Sequence, residues 1–261
     1  MRISKRLEDW RQLRAELTGS LGFVPTMGAL HQGHAALIRR SVAENDHSVL
    51  SIYVNPTQFD DPGDLARYPC TLEQDLELAR SLGVSAVLLP RYDELYADGF
   101  RYQVTENRFS RELCGAHRAG HFTGVLTVVL KLLNLVRPRR AYFGEKDYQQ
   151  YLLVRDMCAA LFIDVEIVPC ETVREVDGLA MSSRNALLDA RGRALAPLLH
   201  RLLTSDLDDA EVAARLAAAG FAVDYVESRA GRRFGAAAIE GGGRRVRLID
   251  NVARAGGESS A

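Results

Sequence analysis

The stretch VPTMGALHQGH, residues 24–34, constrains this chain more than any other part of its sequence. A short apolar run at 21–24 reads as a strand, and a helical pattern carried by Leu37, Ile38 and Val42 follows. The turn between them holds Gly28, Gly33 and two histidines three apart, His31 and His34. A strand handing over to a helix there gathers backbone N–H groups without intrahelical partners at the positive end of the helix dipole, a natural seat for phosphate. The glycines let the backbone turn tightly and approach a ligand. The imidazoles supply donors that can follow charge developing on a phosphoryl group. The segment therefore predicts a nucleotide site. Structural histidines or half of a metal site are the competing readings; ligation would need further ligands, and neither H-E-x-x-H nor C-x-x-C occurs.

The length of 261 residues suffices for one large α/β domain, or one large and one small. A formal net charge of −1 gives no case for general nucleic-acid binding, so any polyanion must be held locally. Cys70, Cys114, Cys158 and Cys170 are widely spaced and fit a reducing compartment, with Cys158 and Cys170 in apolar settings that suggest packing. The first seventeen residues lack a signal-peptide core, and no apolar run reaches bilayer-spanning length. A cytoplasmic protein without membrane or nucleic-acid partners is expected.

Strands and helices alternate along the first two thirds of the chain. An amphipathic helix (Leu7, Trp10, Leu13, Leu17) precedes strands at 21–24 and 48–54. Thr71 with Gln74 reads as a capping box opening a helix to Leu82, ended by Gly83, and 86–89 is a strand. Residues 122–136 form a long apolar helix, which implies burial between layers or at a subunit contact. A strand at 140–143, a helix capped by Asp147 and running to about 161, and a strand at 165–168 follow. This alternation predicts a parallel sheet covered on both faces. Past Val173 the character changes: a turn at Asp177-Gly178, a helix entered from Ser182-Ser183-Arg184-Asn185, an Ala-rich helix at 209–219, and strand-like pieces at 223–227 and 246–249. We place a domain boundary near residue 172, giving domains 1–172 and 173–261, and expect disorder at 256–261.

Three further constellations carry chemistry. Asn55-Pro56-Thr57-Gln58-Phe59 follows the second strand, on the histidines' sheet edge if the sheet is parallel, where open α/β sheets bind ligands. Gln58 offers both donor and acceptor, suited to a hydroxy acid; a turn with a capping Asn is the alternative. Gly144-Glu145-Lys146-Asp147-Tyr148-Gln149-Gln150 repeats the strand–Gly–helix arrangement. Lys146 can meet phosphate, Asp147 can hold a ribose hydroxyl, a metal ion or its own helix cap, and Gln150 lies one turn on. Met181-Ser182-Ser183-Arg184 sets two hydroxyls and a guanidinium together, suited to a leaving pyrophosphate or to a plain N-cap.

Jointly these segments resemble the pantoate–β-alanine ligase family, within the wider H-x-G-H nucleotidylyltransferase group. The resemblance runs from about Phe23 to Leu188 through VPTMGALHQGH, VNPTQF, YPCTLEQD, AGHFTGV, YFGEKDYQQ and DGLAMSSRN, with a weaker echo at 223–227 and 247–251. It implies a Rossmann-like domain with a smaller C-terminal α+β lid that keeps a hydrolysable intermediate from water. It also implies ATP with Mg²⁺, pantoate and β-alanine as ligands, a pantoyl adenylate, and a homodimer. Carried over position by position, it assigns ATP contacts to Met27, Gly28, Ala29, Leu30, His31, Gln32, Gly33, His34, Gly144, Glu145, Lys146, Asp147, Val173, Met181, Ser182, Ser183 and Arg184. His34 takes the position of catalytic acid, assisted by His31, Lys146, Ser182, Ser183 and Arg184; Gln58 and Gln150 match the pantoate positions, and Asn55 a contact to the adenylate.

The chain departs from the family pattern at Cys70, where an Arg is usual, and at Ala119, where a Pro is usual. Residues 229–243 also stand in place of a longer connection before the last strand. Two rival readings are another H-x-G-H adenylyl- or cytidylyltransferase, which would not need Gln58 and Gln150 together, and an idle relative, which should have lost some of His34, Lys146 or Arg184.

Overall fold

A computed structural model describes residues 1–241 and 244–254, and the expected disorder at 256–261 lies outside them. The chain divides into two compact units, one of residues 1–145 and 149–171, the other of residues 146–148 and 172 onward.

The first unit runs β1 (Arg2–Ser4), α1 (Leu7–Glu16), β2 (Leu21–Thr26), α2 (Gln32–Glu44), β3 (His47–Ile52), α3 (Pro62–Ala66), α4 (Leu72–Ser81), β4 (Ala86–Leu88), α5 (Tyr92–Leu95), α6 (His121–Val136), β5 (Arg140–Gly144), α7 (Tyr148–Ala160) and β6 (Glu166–Cys170). The six strands form one sheet in the order β1-β4-β3-β2-β5-β6, and every neighbouring pair is parallel. Consecutive buried residues in β2 and β3 mean both faces are covered, as the apolar runs predict. Leu37 and Ile38 of α2 and Ala79 of α4 pack with Val24, Leu50, Val87 and Tyr142 in one core cluster. The indole of Trp10 in α1 donates to the Leu135 carbonyl at 2.9 Å, tying α1 to α6.

Eleven of the sixteen residues of α6 are buried inside this unit, so burial between layers accounts for its apolar sequence without a subunit contact. β1 escapes a reading by periodicity because three residues carry too little of it. Thr71 caps nothing with its side chain; its hydroxyl donates instead to Asp75 Oδ1 at 3.1 Å, which replaces the expected capping box. Asp147 ends a 3₁₀ turn, Glu145–Asp147, that runs straight into α7, so it does not stand at the helix's capping position. Three cysteines are buried thiols and Cys70 is exposed; burial pushes the Cys158 thiol up to about 11, which keeps it protonated.

The second unit contains a small hairpin at 173–181, bridged between Arg174 and Ala180, then α8 (Ala190–Leu195), α9 (Pro197–Leu203), α10 (Asp209–Ala218) and an antiparallel sheet of β7 (Phe221–Arg229), β8 (Arg232–Gly241) and β9 (Arg244–Ala253), in the order β7-β8-β9. β8 corrects the sequence reading: the stretch expected to be a shortened connection is the central strand. Its small residues hide it. Ala236, Ala237 and Ala238 are fully buried, and a Cβ on Gly235 would come within 2.8 Å of Leu203, so small side chains here admit α9 close to the sheet. Arg233 is fully buried, pairing with Asp209 at 2.8 Å and donating to the carbonyls of Leu203, Ser205 and Leu207. It satisfies the orphan oxygens after α9.

Candidate active site

Parallel pairing puts the C-terminal ends of β3, β2 and β5 side by side, with β2 in the middle. Chain order reverses direction there, since β3 lies to one side of β2 and β5 to the other; such a switch point is where open α/β sheets leave a crevice for ligands. Three of the predicted segments leave from these ends: residues 27–31 after β2, residues 53–58 after β3, and Gly144 with Glu145 at the end of β5.

The histidines are built into the start of α2 rather than hung on it. His31 is the N-cap: its Nδ1 accepts from the Gly33 N–H at 3.1 Å, while the His34 Nδ1 accepts from the His31 N–H at 3.4 Å. This is a reciprocal capping box made of two imidazoles. A backbone N–H can only donate, so both Nδ1 atoms carry lone pairs and each neutral ring carries its hydrogen on Nε2. The rings lie 4.1 Å apart between centroids. The pair thus has Nε2 as the protonated nitrogen of both rings at one helix start.

The same geometry revises the source of phosphate donors. The N–H groups of Ala29 and Leu30 are taken by the buried Asp75 carboxylate, at 2.9 and 2.8 Å, and those of His31 and Gly33 by the imidazoles. Four of the backbone groups the sequence offers to phosphate thus have partners within the protein. Asp75 also explains Gly28: φ is +82°, and a Cβ there would stand 2.9 Å from Asp75 Oδ2. Ala29, in the left-handed region at φ +50°, is held there by the Asp75 bond. Sequence reading missed Asp75; its one signal was an acidic residue in the YPCTLEQD segment.

The second turn is equally well tied. Asn55 is 1 % exposed and all four hydrogen-bonding positions of its amide are used. Oδ1 accepts from the Tyr96 and Thr57 hydroxyls, both at 3.0 Å, and Nδ2 donates to Gln58 Oε1 at 3.1 Å and to the Gly124 carbonyl at 3.3 Å. The Gly124 carbonyl can only accept, so the Asn55 amide must face it with NH₂. The Gln58 atom facing that NH₂ is therefore its oxygen, which turns the Gln58 NH₂ away as a donor. Gly124 is required by packing: a Cβ there would lie 2.2 Å from the Thr57 carbonyl oxygen and 2.7 Å from the Gln58 nitrogen.

The adjacent glutamines of α7 divide their roles. Gln149 is buried, accepting from the Cys114 N–H at 3.0 Å and donating to the Phe109 and Glu112 carbonyls at 2.8 Å each, which fastens the loop before α6. Gln150 is half-buried, one residue on.

The remaining predicted residues belong to the second unit. Lys146 and Asp147 group with it, the Asn251 amide donating to the Lys146 carbonyl at 3.0 Å and Lys146 Nζ standing 3.8 Å from Asp147. Val173 and Met181 face each other across the hairpin, whose Arg174 makes a bidentate pair with the buried Asp250 at 2.7 and 2.9 Å. Ser182 caps the 3₁₀ turn Ser183–Leu187, its hydroxyl accepting from the Arg184 N–H at 3.3 Å.

A parallel sheet whose switch point opens on an H-x-G-H helix start defines a Rossmann-like nucleotide-binding protein. This chain belongs to the pantoate–β-alanine ligase family, whose sequence pattern matches residues 2–253. The pantothenate synthetase of Bdellovibrio bacteriovorus is 52% identical over 252 residues, covering 97% of this chain and 98% of that protein. Among solved structures, the pantoate-beta-alanine ligase of Francisella tularensis, complexed with beta-gamma ATP and beta-alanine, matches with a TM-score of 0.91 at 38% identity, covering 97% of each chain. The pantothenate synthetase of Thermus thermophilus matches with a TM-score of 0.87 at 41% identity, covering 97% of this chain and 99% of the other. Membership separates this chain from the other H-x-G-H transferases. No helix among the described residues is long and apolar enough to cross a membrane.

Proposed function

We propose that these residues perform the family's reaction as follows. The carboxylate of (R)-pantoate attacks the α-phosphorus of ATP and pyrophosphate leaves. The amine of β-alanine then attacks the acyl carbon of the pantoyl adenylate, giving pantothenate and AMP. A carboxylate acylates poorly, so AMP serves as its leaving group. No covalent bond to the protein is needed; the chain's work is positioning and charge stabilisation. The reciprocal cap that fixes both imidazoles at the switch point, with the ring hydrogen on Nε2, is the observation that carries this reading, because developing phosphoryl charge needs groups fixed in advance. Formation of AMP that requires both pantoate and β-alanine tests it, and AMP formation indifferent to either acid or amine would defeat it.

In this assignment residues 27–34 with Gly144 and Glu145 line the ATP, while His31 and His34 meet its phosphates. Lys146, Asp147, Val173, Met181, Ser182, Ser183 and Arg184 complete the nucleotide contacts, the cation and hydroxyls taking the departing pyrophosphate. Gln58 and Gln150 hold pantoate; Asn55, whose amide is fully spent within the protein, serves the adenylate by holding Gln58 in place of the direct contact that the resemblance implies. No group of three His, Cys, Asp or Glu side chains among the described residues is arranged to hold a metal ion. Mg²⁺ is accordingly assigned to the ATP phosphates, where it would neutralise charge with few protein ligands.

Hydrogen exchange across residues 173–190 is expected to slow when ATP and Mg²⁺ are added, with most of that slowing lost in Arg184→Ala. Equal exchange with and without ATP would remove Ser182, Ser183 and Arg184 from the nucleotide contacts. We also propose a cytoplasmic homodimer. Family resemblance supports the dimer, α6 being buried within its own unit. Sedimentation at micromolar concentration should give twice the chain mass of 28.8 kDa; a single-chain mass would contradict it.

A further inference from the structure

We propose that His121 is a positioning residue for Gln58, acting with Arg118 and Asp60 to set how tightly the hydroxy-acid substrate is held. The inference rests on the assignment of Gln58 to pantoate and gives a role to the AGHFTGV segment, which that assignment leaves without one.

The geometry is a closed grip on one peptide unit. The Gln58 carbonyl ends a single 3₁₀ turn, Pro56–Gln58, and receives His121 Nδ1 at 2.7 Å and Arg118 Nη2 at 3.3 Å. A carbonyl oxygen only accepts, so His121 Nδ1 carries the hydrogen. In the neutral ring Nε2 then holds a lone pair, and Arg118 Nη1 donates to it at 3.0 Å. Arg118 is anchored in turn by Asp60, at 2.8 Å from its Nε. Burial pushes the Asp60 carboxyl up, but the Arg118 hydrogen bond and charge pull it further down, so it stays ionised below the usual carboxylate range. His121 is itself buried, at 9 % exposure, and opens α6.

Two elements far apart in the chain thus clamp Gln58 from opposite ends. Asn55 holds the side-chain oxygen, and His121 with Arg118 holds the main-chain oxygen. With both oxygens fixed, the one part of Gln58 left to choose a partner is its NH₂. That group is a donor, complementary to a carboxylate or hydroxyl oxygen. If the main-chain grip is lost, the turn can rotate and the donor loses its aim, although His121 touches no substrate.

His121→Phe keeps the ring and removes both nitrogens. It is expected to raise the KM for pantoate by roughly tenfold to a hundredfold, the range of one lost buried hydrogen bond, with the KM for ATP changed less than about twofold. His121→Asn, whose amide nitrogen falls near the Nδ1 position, should recover most of the loss. Arg118→Met, which leaves the ring in place, should move the pantoate KM in the same direction by roughly threefold to tenfold. Gln58→Ala should raise the pantoate KM by itself, and adding His121→Phe to it should change that KM no further.

An unaltered pantoate KM in Gln58→Ala would overturn the assignment of Gln58. A raised KM in Gln58→Ala with none in His121→Phe or Arg118→Met would overturn the positioning role alone. Additive losses in the double variant, or an ATP KM rising in step with that for pantoate, would reduce His121 to a structural residue and overturn the proposal too. Should His121→Phe fail to fold, Arg118→Met and His121→Asn decide the matter by the same comparison.

Discussion

His34→Ala is expected to slow pantoyl-adenylate formation by about two to four orders of magnitude while the protein stays folded. The effect on rate follows from what the ring contributes. Its Nδ1 is committed to the His31 N–H, so in the proposed role the neutral ring acts through Nε2–H as a donor to phosphoryl charge, in place of the catalytic acid that the resemblance implies. Removing a donor preorganised for the transition state forfeits several kcal/mol that water, free to reorient, does not restore. The effect on stability is smaller. Half of a capping box is lost, worth roughly 0.5–2 kcal/mol, while Ala35, Leu37, Ile38 and Ser41 keep the rest of α2 buried. Rapid-quench measurement of the first half-reaction separates the two, and a normal rate of adenylate formation would refute the role given to His34.

Gly124→Ala should be nearly as damaging, against the usual direction of such a change. In an exposed helix alanine is favoured over glycine by about 1 kcal/mol. Here the added methyl would sit 2.2 Å from the Thr57 oxygen and 2.5 Å from its carbonyl carbon, and both are main-chain atoms that no rotamer change can move aside. Either α6 or the turn at 56–58 must shift, at an overpacking cost of about 1–3 kcal/mol. A displacement of about 1 Å in a substrate-holding group lowers turnover by about a hundredfold. We expect kcat/KM for pantoate to fall by that order, with a lowered thermal midpoint. Wild-type pantoate kinetics in this variant would show that the turn tolerates displacement and that its contact with α6 does not set the site.

Both effects arise where local signals and distant contacts meet, and the two differ in how far the sequence discloses them. The strand–turn–helix at 21–44 is legible because apolar periodicity, paired glycines and a histidine at the helix entrance are local features. The same holds for the parallel sheet, since helices alternating with short apolar strands leave few other packings. β8 is not legible, because its alanines and glycines are chosen for the closeness of α9 and carry no strand pattern of their own.

Which backbone groups remain for phosphate is not legible either. Asp75 lies 46 residues from Ala29 and takes its N–H, a pairing that no window along the chain contains. His121 reaches Gln58 across 63 residues, and Asn251 reaches Lys146 across 105, which groups that lysine with the second unit. The sequence by itself determined the elements, their order and the residue types that can meet a nucleotide and a hydroxy acid. These follow from propensity, periodicity and side-chain chemistry, all carried by neighbouring residues. Only the tertiary structure decided which polar groups are spent on one another and which are aimed outward. A buried donor or acceptor must find a partner wherever the fold brings one, and that partner is set by packing across the chain rather than along it.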